Sequence, residues 1–279
     1  MSQSRLLDTE EFNQLAAGRD GYFLYNRNDY YIGRSIEHYG EFSGIEMKLF
    51  RQLCAPGHTV IEVGANIGAH TVGIARQVGR SGRVLAFEPQ RLPFQTLCAN
   101  VALNSLDNVD CFWGAMGHQI GFLDVPDLNP RQLANFGALT LLGTQEGGRR
   151  VPCHTLDQYI ALSRVDLVKI DVEGMEIDVL RGGLLLLKQF KPVLYVENDR
   201  LDNSEDLIRF IASLNYRLYW HSPPLFNPDN FFGNSQDLFP AVVSANMLCI
   251  HRDSNYQVEG LAEIVDFTFH PIFSRATQK

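Results

Sequence analysis

Short apolar runs recur through the middle of the chain and alternate with amphipathic stretches. Seven runs predict strands: Thr59–Val63, Arg83–Phe87, Val109–Phe112, Asp166–Ile170, Val193–Val196, Arg217–Trp220 and Asn246–Ile250. Helices are predicted between them, over 71–78, 93–103, 156–162, 176–180 and 205–214. Strands that are apolar at nearly every position suit a sheet covered on both faces. The pattern therefore predicts an α/β fold with a doubly wound, mostly parallel seven-stranded sheet, in which the last two strands pair at an edge.

Residues 1–55 follow a less regular pattern and predict an N-terminal cap segment. The cap is expected to contain a helix that ends at Ala17, strands at Tyr22–Tyr25 and Tyr30–Ile32, and a helix with Ile45, Leu49 and Leu53 on one face. Residues 56–279 are expected to form one domain. A loop near 221–240, rich in Pro, Asn and Phe, is long enough to act as a substrate loop.

Composition and charge exclude several classes of function. The chain of 279 residues is 45% hydrophobic and 20% charged, which is typical of a folded globular protein. Lys and Arg number 24 against 32 Asp and Glu, and no basic run is present, so nucleic acid is not an expected partner. Neither a signal peptide nor a membrane-spanning stretch is indicated, so we expect a cytoplasmic protein with no membrane partner. Five scattered cysteines indicate neither zinc nor disulfides, and the oligomeric state stays open.

The strongest local motif is Glu-Val-Gly-Ala-Asn-Ile-Gly at 62–68, where a predicted strand runs into a predicted helix. Glycines at such a turn let a ligand approach the backbone, and the helix N-terminus offers free N–H groups. Glu88 ends the next strand, where a carboxylate can accept both hydroxyls of a ribose. Asn66 stands where a dinucleotide-binding protein prefers glycine. Glu62 and Glu88 therefore favour a cationic nucleoside cofactor, S-adenosylmethionine.

Four motifs together resemble the FkbM family of S-adenosylmethionine-dependent methyltransferases. They are Glu62-Val-Gly-Ala-Asn-Ile-Gly68, Phe87-Glu-Pro89, Thr155-Leu-Asp157 and Lys169-Ile-Asp-Val-Glu-Gly174. The resemblance implies a class I methyltransferase (Rossmann-like) fold. It also implies methyl transfer to a hydroxyl of a glycan or another natural product, so the expected partner is a small-molecule, glycan or peptide acceptor.

The resemblance further implies a set of cofactor-binding residues. Its members are Glu41 at the amino-acid end, Glu62, Gly64, Asn66 and Gly68 around the methionine part, Glu88 at the ribose, Trp113 to Ala115 near the adenine, and Asp171. Two of these positions keep a structural alternative. Trp113 is also consistent with a core residue, and Glu41 with a cap on the helix that begins near Gly44.

Carboxylates follow the fourth and fifth predicted strands at the same edge of the sheet. This arrangement is similar to catechol-type O-methyltransferases, in which an acid after strand four and an acidic or amide pair after strand five hold magnesium. The corresponding metal site is Asp171, Glu197 and Asn198; direct hydrogen bonding of Asp171 to a ligand is the alternative. We expect catalytic roles for Asp171, Glu173 and Lys169, and an acceptor pocket that includes Asn135, Phe136 and His221. The catechol-type lysine base is replaced by Gly174.

Three other functions stay open from the sequence. The first is N-methylation or carboxyl methylation of a peptide natural product. The second is a nicotinamide-dependent oxidoreductase, which would share the strand-turn-helix motif. The third is a cofactor-binding module without turnover. The last two leave the Asp-Val-Glu-Gly segment unexplained.

Overall fold

The computed structural model describes residues 10–137 and 148–273, and its first elements differ from the predicted cap. They are β1 (Asn13–Ala17), β2 (Tyr22–Asn26), α1 (Ile32–Tyr39) and α2 (Gly44–Leu53). The predicted helix that ends at Ala17 is wrong, because these residues pair as a strand along the whole of β2. The strand at Tyr30–Ile32 is also wrong, because the Asp29 carboxylate accepts the backbone N–H groups of Tyr31 and Ile32 and starts α1 there.

In the described part of the chain, the remaining elements include all seven predicted strands, together with four strands and one helix that the hydrophobic pattern did not predict. They are β3 (Thr59–Val63), α3 (Thr71–Val78), β4 (Arg83–Glu88), α4 (Arg91–Leu103), β5 (Val109–Trp113), β6 (Ala115–Met116), β7 (Gly121–Val125), β8 (Arg149–His154), β9 (Leu167–Ile170), α5 (Glu176–Arg181), α6 (Leu184–Phe190), β10 (Val193–Glu197), α7 (Leu201–Ser213), β11 (Tyr216–His221), β12 (Asn246–His251) and β13 (Ala262–Glu263). The helix predicted over 156–162 is a four-residue 3₁₀ turn, Leu156–Tyr159. The described part of the chain contains no helix with the length and apolarity needed to cross a bilayer.

The central sheet has the strand order β13-β11-β12-β10-β9-β3-β4-β5. Strands β10, β9, β3, β4 and β5 are parallel, and β12 is antiparallel to both β10 and β11. All seven predicted strands are therefore in one mostly parallel sheet, with the two-residue β13 added at its edge. A separate three-stranded sheet, β6-β8-β7, was not predicted.

Helices cover both faces of the central sheet. On one face, α5, α6 and α7 contribute Val179, Leu186 and Ile208 to the core. On the other face, α2 and α3 contribute Phe50 and Ile74. Because α2 packs on the sheet itself, the segment that precedes β3 supplies part of the main core.

The order in which strands are added to the sheet changes side at β3. Strands β4 and β5 are added on one side of β3, whereas β9 and β10 are added on the other side. Ligands bind α/β sheets at such a switch point. Gly64 follows β3 with φ +82°, and a Cβ there would collide with the carbonyl oxygen of Asp171. Only glycine fits this close approach of the two strand ends.

The fully buried Asn100 of α4 connects the β1–β2 hairpin to the turn after β3 through hydrogen bonds. Its carboxamide accepts the Leu24 N–H at 2.6 Å and donates to the carbonyls of Leu24 at 3.0 Å and Ile67 at 2.8 Å. One side chain therefore satisfies backbone groups from two separate segments.

We expect Asn100→Ala to lower the free energy of unfolding by about 2–4 kcal/mol, because it leaves buried backbone groups without partners. Urea denaturation followed by circular dichroism measures this change. The control is Gln95→Ala, an exposed position on the same helix, which should stay within about 0.5 kcal/mol of the wild type. Equal stabilities of the two variants would contradict the anchoring role of Asn100.

Candidate active site

A cavity of about 330 Å³ lies at the carboxyl ends of β3, β4, β9 and β10. The structure brings nine of the predicted site residues to its wall: Glu62, Gly64, Asn66, Glu88, Asn135, Lys169, Asp171, Glu173 and Glu197. They come from four strand ends and one loop, so the parallel order of the sheet is what assembles them. A cavity of this size is in the range of small-molecule sites.

Glu88, the last residue of β4, is fixed in place by the backbone. Its two carboxylate oxygens accept the N–H groups of Asn66 at 2.8 Å and Gln90 at 2.7 Å, and the side chain is almost completely buried. Burial raises the pKa of Glu88 to about 7, although both hydrogen bonds act in the opposite direction. Each oxygen keeps a lone pair, so the ionised group can still accept hydroxyl groups of a ligand.

Lys169 is a buried cation between two carboxylates. Its Nζ atom lies 3.0 Å from Oδ2 of Asp171 and 3.8 Å from Oε1 of Glu62, the residue beside it in the β3–β9 register. Burial alone would lower the pKa of Lys169, but Asp171 and Glu62 raise it above its usual value. Lys169 therefore stays charged and orients Asp171 instead of accepting a proton.

Three carboxylates, Asp171, Glu173 and Glu197, converge at one end of the cavity. One oxygen from each lies within 4.8 Å of the others. Burial, and then the charge of Asp171, raise the pKa of Glu173 to about 8 and that of Glu197 above its usual range. Arg200 donates to Glu173, whereas Oε2 of Glu197 is buried and no residue that the structure describes hydrogen-bonds to it. The cluster has the oxygen donors that suit a hard cation or a polar acceptor.

Asn198 does not join this cluster. Its carboxamide donates to the sulfur of Met247 at 3.3 Å, and its backbone carbonyl is 2.7 Å from Nε2 of His270. Neighbouring side chains at the end of a strand point to opposite faces, so Glu197 enters the cavity and Asn198 turns away from it. Glu173 takes the third position of the cluster.

Glu41 and His221 lie outside the main cavity. The Glu41 carboxylate pairs with Arg19 and accepts a hydrogen bond from Asn227 at 2.6 Å, so it ties the N-terminal segment to the loop after β11. His221 is the last residue of β11, and its Nδ1 is 2.8 Å from the Tyr195 hydroxyl. It lines a separate cavity of about 340 Å³ beside α2.

Four more predicted residues do not line this cavity. A Cβ at Gly68 would collide with α4, so this glycine permits helix packing. The Trp113 indole donates to the carbonyl of Pro89, which lines the cavity, at 2.9 Å. Ala115 is paired in β6, and the side chain of the buried Phe136 lines a different cavity of about 100 Å³.

The cavity wall also contains polar residues that the sequence analysis missed, namely Glu46, His70, Gln90 and Asn246. Glu46 lies next to Met47 on the buried side of α2. A carboxylate at a buried helix position is a signal that would have identified Glu46 from the sequence. Asn246 has no such signal, because only the pairing of β12 with β10 brings it to the site.

Comparison with known proteins shows which protein family the chain resembles. Residues 62–218 match the model of the methyltransferase FkbM domain. The chain is 27% identical over 143 residues to Methyltransferase 1 of Beauveria bassiana, covering 44% of this chain and 57% of that protein. It therefore spans little more than half of the length of that relative.

Two further similarities cover more of the chain. It is 42% identical over 213 residues to ribosomal RNA large subunit methyltransferase E of Nitratidesulfovibrio vulgaris, covering 71% of this chain and 95% of that protein. Among solved structures, a methyltransferase FkbM from Methylobacillus flagellatus KT aligns with a TM-score of 0.46 and 16% identity over 73% of this chain and 50% of that chain.

Proposed function

The chain belongs to the FkbM methyltransferase family, and we propose that it transfers the methyl group of S-adenosylmethionine to a hydroxyl group of a glycan or another natural product. One observation carries this proposal. The backbone-held carboxylate of Glu88 and the cluster of Asp171, Glu173 and Glu197 open into the same cavity. A nucleoside and a polar acceptor can therefore bind side by side.

The residues of the β3 and β4 ends fit the cofactor. Glu88, Gly64 and Asn66 line the cavity; Glu88 would accept both ribose hydroxyls, and the turn with Gly64 and Asn66 would hold the methionine part. Glu62 places negative charge near the sulfonium and amino groups. When bound, S-adenosylmethionine supplies an electrophilic methyl group.

The residues of the β9 end handle the acceptor. Asp171, oriented by Lys169, accepts a hydrogen bond from the acceptor hydroxyl and aligns its oxygen. Glu173, which is ionised above about pH 8, is close enough to Asp171 to take the hydroxyl proton as the acceptor oxygen gains the methyl group and S-adenosylhomocysteine is released. Rate enhancement then comes from alignment together with proton removal.

The charge of the cavity favours an acceptor without phosphates. Asp171, Glu173, Glu197 and Asp199 all line it, and the chain has a formal net charge of -8. These carboxylates would repel a phosphate backbone. The charge of the cavity therefore disfavours RNA, the substrate in the name of the Nitratidesulfovibrio relative, as the acceptor of this chain.

Glu88→Gln should weaken binding of S-adenosylhomocysteine about 10- to 100-fold, because a charged acceptor of the ribose hydroxyls is lost. Isothermal titration calorimetry measures this affinity. Wild-type affinity should fall as the pH drops below about 7, where Glu88 takes up a proton, and the variant should lack this dependence. The exposed Glu205→Gln is the control. Absence of wild-type binding, or an unchanged affinity in Glu88→Gln, would contradict the cofactor assignment.

Reaction with S-adenosylmethionine that carries a deuterated methyl group should label a hydroxyl of a glycan or small molecule as a methyl ether, which survives mild alkali. Mass spectrometry after alkali treatment identifies the product. Glu173→Gln should lower kcat by about 100-fold or more, whereas Asp178→Asn, a partly exposed position on α5, should leave it unchanged. An alkali-labile methyl ester, or a methyl group on peptide nitrogen, would refute O-methylation.

We also propose a divalent cation such as Mg²⁺ between Asp171 and Glu197. The donor set fits, because carboxylate oxygens are the ligands that Mg²⁺ prefers, and one buried oxygen of Glu197 has no partner among the described residues. A cation here would bind the acceptor oxygen and lower the pKa of its hydroxyl.

Removal of divalent metal with a chelator should lower the methyl-transfer rate about 100-fold, and added Mg²⁺ should restore it. Mn²⁺ binding, followed by electron paramagnetic resonance in the presence of S-adenosylhomocysteine, should disappear in Glu197→Gln and persist in Glu205→Gln. Full activity of the chelated protein would disprove the metal site without affecting the cofactor assignment.

A further inference from the structure

The cavity has an inner end, formed by Glu46 of α2 and His70 at the start of α3, that the roles above do not use. Both side chains line the cavity, and each residue is only 5% exposed. They lie on the sheet face covered by α2 and α3, next to Lys169. Polar groups buried this deeply require partners.

The environment of His70 defines which hydrogen-bonding groups it offers. Its ring packs against Phe42 and Phe50, with ring centroids 5.7 and 5.2 Å away. Burial lowers the pKa of His70 to about 3, so the ring is neutral, and it donates to the backbone of Ser43. The other nitrogen, Nε2, is buried and has no hydrogen-bond partner in the described part of the chain. A neutral ring that donates through one nitrogen accepts through the other, so the missing partner of Nε2 is a donor.

The charges around the inner end select a cationic donor. Glu46 and Glu62 contribute two carboxylates, and Asp171 lies beyond Lys169. Lys169 is a cation close to them, and the donors that the structure describes for the Glu46 carboxylate are neutral, among them the carboxamide of Asn246 at 3.2 Å. Burial raises the pKa of both Glu46 and Glu62, which reflects too little compensating positive charge. An ammonium group would stabilise the ionised carboxylates and donate to Nε2 of His70.

We infer that the inner end binds the α-ammonium group at the methionyl end of S-adenosylmethionine, with His70 Nε2 as hydrogen-bond acceptor and Glu46 as counter-ion, an inference that rests on the proposed function. The two residues are cofactor-positioning residues that recognise the amino-acid end. Glu88 recognises the nucleoside end independently. The role that the resemblance implied for Glu41 is thus performed by Glu46, from the same N-terminal segment.

Two ligands distinguish recognition of the amino-acid end from recognition of the nucleoside end. S-adenosylhomocysteine carries the amino-acid group, and 5′-methylthioadenosine lacks it but keeps the nucleoside. His70→Phe keeps an aromatic ring between Phe42 and Phe50 and removes the acceptor nitrogen. Glu46→Gln keeps an oxygen for Asn246 and removes the charge. The matched controls are His118→Phe and Glu37→Gln, both at exposed positions.

Calorimetry should show that His70→Phe and Glu46→Gln each weaken S-adenosylhomocysteine binding about 10- to 100-fold. Both variants should bind 5′-methylthioadenosine within about twofold of the wild type, as should the two controls. Thermal unfolding checks that the variants are folded. If His70→Phe does not fold, the test uses Glu46→Gln and the desamino analogue of S-adenosylhomocysteine. The wild type should bind this analogue about 10- to 100-fold more weakly than S-adenosylhomocysteine. Glu46→Gln should bind the two ligands with similar affinity.

Other outcomes are distinguishable from one another. A wild-type protein that binds neither ligand would remove the proposed function itself. Equal losses for both ligands in a folded variant would overturn the inference, because the effect would then not be specific to the amino-acid end. Unchanged S-adenosylhomocysteine affinity with a raised KM for the acceptor would also overturn it and assign the inner end to the acceptor.

Discussion

The buried ammonium group of Lys169 is the interaction on which the site depends. A charge removed from water must be compensated by close partners, and Glu62 and Asp171 provide them. Both partners follow from sheet geometry: Glu62 is the neighbour of Lys169 in the parallel register, and Asp171 is two residues further along, on the same face. Exchange of one partner for an apolar residue would leave an uncompensated charge inside the protein.

Around this ionic group the cavity has three chemically different regions, one of which is the inner end with Glu46 and His70. At the β4 end, Glu88 presents a carboxylate whose backbone hydrogen bonds fix its direction. At the end of β9 and β10, the carboxylates crowd together, and Glu197 keeps an unpartnered oxygen. We propose that the cofactor would occupy the β4 end together with the inner end, and that the acceptor would occupy the end of β9 and β10.

The N-terminal segment contributes more than a cover. Helix α2 packs Met47 and Phe50 into the same core as α3 and brings Glu46 to the cavity. Glu41, a few residues earlier, instead joins Arg19 and Asn227 and so connects this segment to the loop after β11. The cavity wall consequently depends on three parts of the chain that are far apart in sequence.

The sequence alone determined the seven-stranded α/β framework and the residues at its strand ends, because buried strands are marked by local apolar runs and the turn after β3 by local glycines. It also identified Glu62, Glu88, Asp171 and Glu197, since the carboxyl ends of parallel strands meet at one edge. Only the tertiary structure decided that Glu46 and not Glu41 lines the cavity, that Glu173 and not Asn198 lies in the carboxylate cluster, and that residues 13–17 form a strand. Those outcomes depend on which side chains face each other and which backbone groups find partners across long distances in sequence, and local pattern carries no information about either.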